Sequence, residues 1–291
     1  MNASRLSPIR IAVLAMLGSL ATMFLVVALA FAGGSRVASE KGSAGNPRIL
    51  PPSSNPYGAS YATWTVRWWQ WAYSLPVAGH PLFDETGADC GAGQSGPVWF
   101  LGGIFNITGS AHRTQCVVPS GKALFFPIVN AEWDNFCPIA SMSDAELRQF
   151  VTDAMDAATN MSCEIDGTPV QNLQVYRSAG PAFGVDMPAG SIFDLFCGTP
   201  AGHYEPMVPD GYYLMLAPLS VGKHTLHFIG TIPAFNGFTL EITYELTVSA
   251  DGHATTEIAD PAAGGAVAPV SGATNPGNAN SSWGRVKSIY R

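Results

Sequence analysis

The chain has 291 residues, 47% of them apolar and only 12% charged, with a formal net charge of −7. The span from residue 49 to 284 is more acidic than that figure suggests, with six cations against 20 acids and a net charge near −14. Such a surface repels phosphate backbones and makes nucleic acid a poor partner, while it suits divalent cations, basic partners or plain solubility.

Arg5 and Arg10 precede an uncharged run of 22 residues, 11–32. A spanning helix needs about 20 apolar residues, and a signal-peptide core about 7–15. Length points to an anchor, whereas Ala28-Leu29-Ala30 and Ala30-Phe31-Ala32 offer the small-residue spacing of a cleavage site. Residues 1–32 are therefore read as a signal peptide or an N-terminal transmembrane anchor. Either reading keeps the positive end inside and exports everything after Gly33. The expected location is extracytoplasmic: secreted, periplasmic, or anchored and facing outward. Membrane contact is expected only through this segment, and only if it is retained. Residues 33–56, rich in Ser, Gly and Pro, read as a flexible linker, and residues 259–291 as a low-complexity tail. The fold is expected within 57–258.

Ser60 can cap a helix over 61–74 that Pro76 ends. Trp64, Trp68 and Trp71 share one face, and Ala62, Val66, Trp69 and Tyr73 the next. Only Thr63, Arg67, Gln70 and Ser74 form a polar stripe. A helix apolar over most of its circumference is normally buried. Tryptophans also stack on sugars and cations, so Trp64, Arg67, Trp68, Gln70 and Trp71 are candidates for ligand binding as well as for core.

An acidic loop with Asp84, Glu85 and Asp89 follows, then short strands over 98–104 and 123–129. Between them lie His112 and Arg113, read either as surface polar residues or as lining a site. Glu132 and Asp134 follow the second of these strands. Ser143 to Glu146 is a capping box opening a second helix, with Leu147, Phe150, Val151, Ala154 and Met155 on one face. Further strands are expected over 164–176, 212–217 and 223–229, with a loop at 231–236. Residues 238–248 alternate apolar and polar without a break, the pattern of a half-buried strand. Many short strands separated by Gly, Pro and Asn predict a mainly β chain. The expected architecture is an antiparallel β-sandwich, immunoglobulin-like or jelly-roll-like, with two helical insertions.

Asp84, Glu85, Asp89, Glu132 and Asp134 admit three readings. They are solvated loop acids, oxygen ligands for calcium, or an acid and nucleophile acting on a glycosidic bond. The spacing fits no calcium loop. Gly91 to Gly96 matches a dinucleotide-loop pattern by letter, but it leads into a strand, the wrong context. His224 and His227, three apart on a strand, point to opposite faces and cannot share a metal there. All five cysteines lie in the exported part, with no Cys-x-x-Cys among them, which reads as disulfides rather than zinc. Cys90–Cys116 and Cys137–Cys163 each close a compact local loop, leaving Cys197 over.

The block from Tyr57 to Ile128 resembles one found in exported bacterial proteins of unknown function. It is carried by Ser60-Tyr-Ala-Thr-Trp-Thr-Val-Arg-Trp-Trp-Gln-Trp71, Asp84-Glu-Thr-Gly-Ala-Asp-Cys90, Gly96-Pro-Val-Trp-Phe-Leu101 and Cys116-Val-Val-Pro-Ser-Gly-Lys-Ala-Leu-Phe-Phe-Pro127. The resemblance covers about a quarter of the chain. It implies export, supports Cys90–Cys116 and implies no activity. Gly222-Lys-His-Thr-Leu-His-Phe228 also resembles the penultimate strand of bacterial immunoglobulin-like domains. The favoured expectation is a non-enzymatic extracytoplasmic protein that binds a ligand or partner. A secreted carboxylate-dependent hydrolase and a structural envelope protein are the alternatives.

Overall fold

The computed structural model describes residues 47–106, 108–136 and 141–250. The candidate anchor, the tail after 250 and Cys137 lie outside the described residues. In chain order the elements are β1 (Ile49–Leu50), α1 (Tyr61–Tyr73), β2 (Val98–Phe100), β3 (Ser110–Arg113), β4 (Val117–Pro119), β5 (Ala123–Trp133), α2 (Asp144–Asp156), β6 (Thr159–Ile165), β7 (Thr168–Pro169), β8 (Phe183–Met187), α3 (Ile192–Cys197), β9 (Gly202–Leu216), β10 (Gly222–Ile232) and β11 (Phe238–Ser249). The described residues are mainly β, with three α-helices where two helical insertions were expected. Among the described residues no helix is long and apolar enough to cross a membrane.

The strands form two sheets, and both are mixed rather than purely antiparallel. The first runs β1-β9-β5-β2, with β8 also on β9; the second runs β3-β11-β10-β6-β7, with β4 also on β11. β2 lies parallel to β5, and β3 and β4 lie parallel to β11. The connectivity explains this. After β2 the chain crosses to the second sheet for β3 and β4, then returns to the first as β5. A parallel pair needs such a long crossover, which a hairpin cannot supply. Ile49 and Leu50, expected in the linker, pair with Leu216 and Met215 and belong to the first sheet.

β11 is the strand its alternation predicts: Leu240, Ile242, Tyr244, Leu246 and Val248 are buried, and Glu241 and Glu245 are exposed. It pairs with β10 over its whole length. The expected loop at 231–236 is shorter, because β10 continues to Ile232 before a single 3₁₀ turn. The expected strand at 164–176 is instead the end of β6, the short β7 and a 3₁₀ turn at Leu173–Tyr176. The two sheets meet where Phe126 packs on Phe228 at 5.3 Å between ring centroids. They approach so closely at Gly230 that a Cβ there would sit 2.5 Å from Val129 Cγ1.

β5 is buried on both faces, between the second sheet and the helices. Its register slips between Pro127 and Val129. Before the slip an odd residue, Phe125, meets α1 through Tyr61 at 5.7 Å. After it even residues do so: Glu132 accepts a 2.7 Å hydrogen bond from Tyr73 on α1. A bulge inserts one extra residue and so inverts the alternation beyond it. α2 begins with the expected capping box and lays Phe150 on Trp133 at 4.2 Å.

Cys90 and Cys116 form a disulfide, with Cα atoms 5.6 Å apart. The expected Cys137–Cys163 bridge is corrected: Cys163 is a free, buried cysteine, and Cys197 is disulfide-bonded. Cys163 sits on β6 opposite Phe228, in the middle of the second sheet. A short loop length in sequence said nothing of that placement. Burial pushes its thiol up to about 12, which keeps it protonated and unreactive.

Candidate functional site

α1 carries the candidate residues, and its geometry follows from local sequence. The Ser60 hydroxyl accepts from the Thr63 N–H and starts the helix as expected. Its tryptophans do not form an open stacking platform. Trp64, Trp68, Trp69 and Trp71 are 5%, 2%, 4% and 5% exposed, so their ring faces serve the core. Three of the indole N–H groups donate to loop carbonyls: Trp64 to Pro56, Trp68 to Leu101 and Trp71 to Ala92, at 2.9, 2.7 and 2.9 Å. Trp68 also meets Trp69 edge to face at 4.9 Å. This is the buried wedge between sheet and loops.

The polar stripe of the same helix remains open and lines a groove of about 680 Å³. Arg67, Gln70 and Ser74 form one wall, with the edges of Trp64, Trp71 and Phe100 beside them. The turn from Gly93 to Pro97 and the β8–β9 hairpin, at Gly184, Asp186 and His203, complete it. Gln70 Nε2 donates to the Gly184 carbonyl at 2.9 Å and ties helix to hairpin. Arg67 is exposed and holds its guanidinium 4.5 Å over the Trp64 ring. It makes no ion pair with a described residue. His203 Nδ1 lies 2.7 Å from Asp186 and Nε2 3.6 Å from Glu205. The hydrogen bond to Asp186 raises the His203 pKa, with Glu205 acting in the same sense.

Sequence reasoning named four of these lining residues, Trp64, Arg67, Gln70 and Trp71. It missed Asp186, His203 and the Gly93 to Pro97 turn. No local signal marks them, because strand pairing alone brings residue 203 opposite residue 186.

The five acids do not assemble into one centre. Asp84 accepts from the N–H groups of Thr86 and Asp89 at 2.7 and 2.8 Å. Burial opposes its ionisation, but these bonds outweigh it and hold the carboxyl below its usual range. Glu85 accepts from Asn106 at 2.9 Å. Glu132 and Asp134 are buried, turned inward by the β5 bulge. Burial, with Glu132 next in effect, pushes the Tyr73 hydroxyl well above its usual pKa. Among the described residues, no three His, Cys, Asp or Glu side chains gather as a metal set. Asp84 thus caps its own loop, Glu85 is tied to Asn106, and Glu132 and Asp134 are buried on the strand side near Tyr73.

His112 is exposed and pairs with Glu245 across the β3–β11 ladder at 2.8 Å. Arg113 is neither surface nor site: it is 1% exposed. Its Nε donates to the Asp84 carbonyl, one terminal nitrogen to Gly102, the other to Pro81 and Gly103, all at 2.8–2.9 Å. The remaining N–H meets the Tyr244 hydroxyl.

His80 lies beside this network and is also buried. Its Nε2 bonds the Ala72 carbonyl at the end of α1, and its Nδ1 accepts from the Leu82 N–H. Both bonds suit a neutral ring. Burial, reinforced by Arg113 and opposed by the Ala72 carbonyl, lowers its pKa from 6.5 to about 4. The unfolded chain takes up this proton below about 6.5 and the folded chain only near 4. Stability is therefore full above pH 6.5 and falls as pH drops toward 4, by on the order of 3 kcal/mol. Urea unfolding across this window should show the loss, and His80→Gln should flatten it. His203 titrates with the opposite sign, so an unchanged slope in the variant would refute the assignment to His80.

No protein-family model, no curated protein and no solved structure matches the chain.

Proposed function

We propose that the protein is an exported binding protein in which the two mixed sheets pack as a sandwich. The groove on α1 holds a small polar ligand bearing an acidic group. The carrying observation is Arg67. Of the six cations between residues 49 and 284, Arg113, Arg148, Arg177 and Lys122 are already bound to carbonyls or carboxylates. Arg67 stands in a groove without such a partner, its guanidinium held over the Trp64 ring. A guanidinium fixed over an aromatic ring presents its remaining donors to a carboxylate or phosphate. About 680 Å³ lies within the range of small-molecule sites. Export is supported by the Cys90–Cys116 bridge, a bond that persists in oxidising compartments, and by the uncharged run at 11–32.

Trp64 and Trp71 line the groove, so intrinsic fluorescence reports occupancy. Titration with glucuronate or inorganic phosphate should give a saturable change that glucose does not. Arg67→Ala should weaken that binding about 10- to 100-fold, the worth of a hydrogen bond to a charged group. Failure of both anions to bind, or equal binding by the variant, would overturn this reading.

A further inference from the structure

The two walls of the α1 groove carry opposite charge. Arg67 stands on the helix wall, and the β8–β9 hairpin opposite carries Asp186 and His203, with Glu205 beside them. Asp186 and Glu205 are exposed, and carboxylates in water hold their charge at pH 7. Both act to raise the His203 pKa, Asp186 first through its hydrogen bond and then through its charge. One imidazolium cannot cancel two carboxylates, so the hairpin wall stays negative even when His203 is protonated. His203 takes only Oδ1 of Asp186 and leaves Oδ2 to a ligand.

Three contacts fix how the walls run. A Cβ on Gly180 would lie 3.0 Å from Val66 Cγ2, the Gly184 carbonyl takes the Gln70 amide, and the Gly190 carbonyl takes the Val77 N–H. The chain from Gly180 to Gly190 therefore follows α1 in the same direction. Gln70 lies level with Gly184, with Arg67 to one side of that level and Asp186 to the other. Three helical residues rise about 4.5 Å and two strand residues about 7 Å, which sets Arg67 and Asp186 about 11 Å apart along the groove. Arg67 does not close this gap, because its guanidinium lies back over Trp64, one turn earlier.

Building on the reading of Arg67 as an anion site, we propose that the ligand of the groove is a free peptide of two or three residues. Its carboxylate meets Arg67 and its ammonium meets Asp186. Charge selects the two ends, and spacing selects the length. A single amino acid spans about 3.5 Å and cannot touch both walls, whereas two or three residues span about 7–11 Å. Gln70 sits between the ends. Its amide nitrogen is spent on Gly184, and its oxygen remains to accept a peptide N–H. The edges of Trp64, Trp71 and Phe100 supply apolar contact for small side chains.

The test titrates Ala-Ala and Ala-Ala-Ala, their N-acetylated forms and free alanine into the intact protein at pH 7, followed by tryptophan fluorescence and calorimetry. The tighter of the two free peptides should bind about 10-fold more tightly than its acetylated form and than alanine, the worth of one hydrogen bond between charged groups. Asp186→Asn, at an exposed position, should erase the preference for the free amine. Arg67→Ala should weaken the peptide as it weakens glucuronate. Equal binding of free and acetylated peptides, alanine binding as tightly as either peptide, or a preference that survives Asp186→Asn would each overturn the proposal. Glucuronate separates the two readings. If it binds while the amine preference is missing, only the peptide proposal falls; if glucuronate and phosphate also fail to bind, the anion site at Arg67 falls with it.

Discussion

Replacing Arg113 with methionine should destabilise the fold by about 4 kcal/mol, the largest effect expected of any single side chain here. The guanidinium uses all five of its N–H groups, on four backbone carbonyls and the Tyr244 hydroxyl. Methionine matches its stem in bulk but leaves those oxygens without donors in a site closed to water. Each buried acceptor left unmet costs about 1–3 kcal/mol, reduced where the loop can relax. Tyr244 limits that relaxation. Its hydroxyl donates to the Gly102 carbonyl at 2.9 Å and its ring lies 5.0 Å from the Arg113 guanidinium. Lysine should rescue less than half of the loss, because one ammonium cannot reach oxygens placed for a planar fork. The urea midpoints of Arg113→Met and Arg113→Lys measure both effects. A loss below about 1 kcal/mol in the methionine variant would show that the network contributes little.

Removing the Cys90–Cys116 bridge should cost about 3.5 kcal/mol. The two residues are 26 apart in sequence, and a closed loop of that length lowers the unfolded chain's entropy by roughly this amount. The bridge has a second task. It pins the acidic loop to the entrance of β4, three residues beyond Arg113, and so helps hold the Asp84 carbonyl where Arg113 Nε donates. Cys116 is wholly buried, so a reductant reaches the bond only after the loop opens. Paired serine substitution is therefore the cleaner test. The double-serine variant should unfold at a lower urea concentration, and its loss should not add to that of Arg113→Met, because both release the same loop. Full additivity would mean that bridge and guanidinium act independently.

Much of the scaffold was legible before any coordinates. The β11 strand, the Ser60 and Ser143 caps and the burial of the tryptophan helix each rest on residues a few positions apart. Such short-range patterns survive any tertiary arrangement that buries one face. The groove was half legible for the same reason. Arg67, Gln70 and Ser74 form a stripe by helical spacing alone, whereas His203 and Asp186 meet only through the β8–β9 pairing.

Arg113 shows where local reading runs out. Beside His112 it looks like part of a polar pair. A four-residue strand then sends the two side chains to opposite faces, one to solvent and one to the core. The core side becomes tolerable for a guanidinium only because loops from residues 81–84 and 102–103 turn their carbonyls toward it.

The sequence by itself determined a mainly β chain, the positions and caps of α1 and α2, and the stripe that opens onto the groove, and it favoured the Cys90–Cys116 bridge. Tertiary structure alone decided the mixed sheets, the free Cys163, the buried Arg113 and the side of β5 on which Asn130 and Glu132 emerge. The physical reason is range. Periodicity and capping are settled within a turn or a strand. The parallel pairing of β3 and β4 with β11 and the β5 bulge against β9 are settled by strands more than 80 residues away in sequence. A one-residue slip there exchanges one face for the other along the rest of the strand.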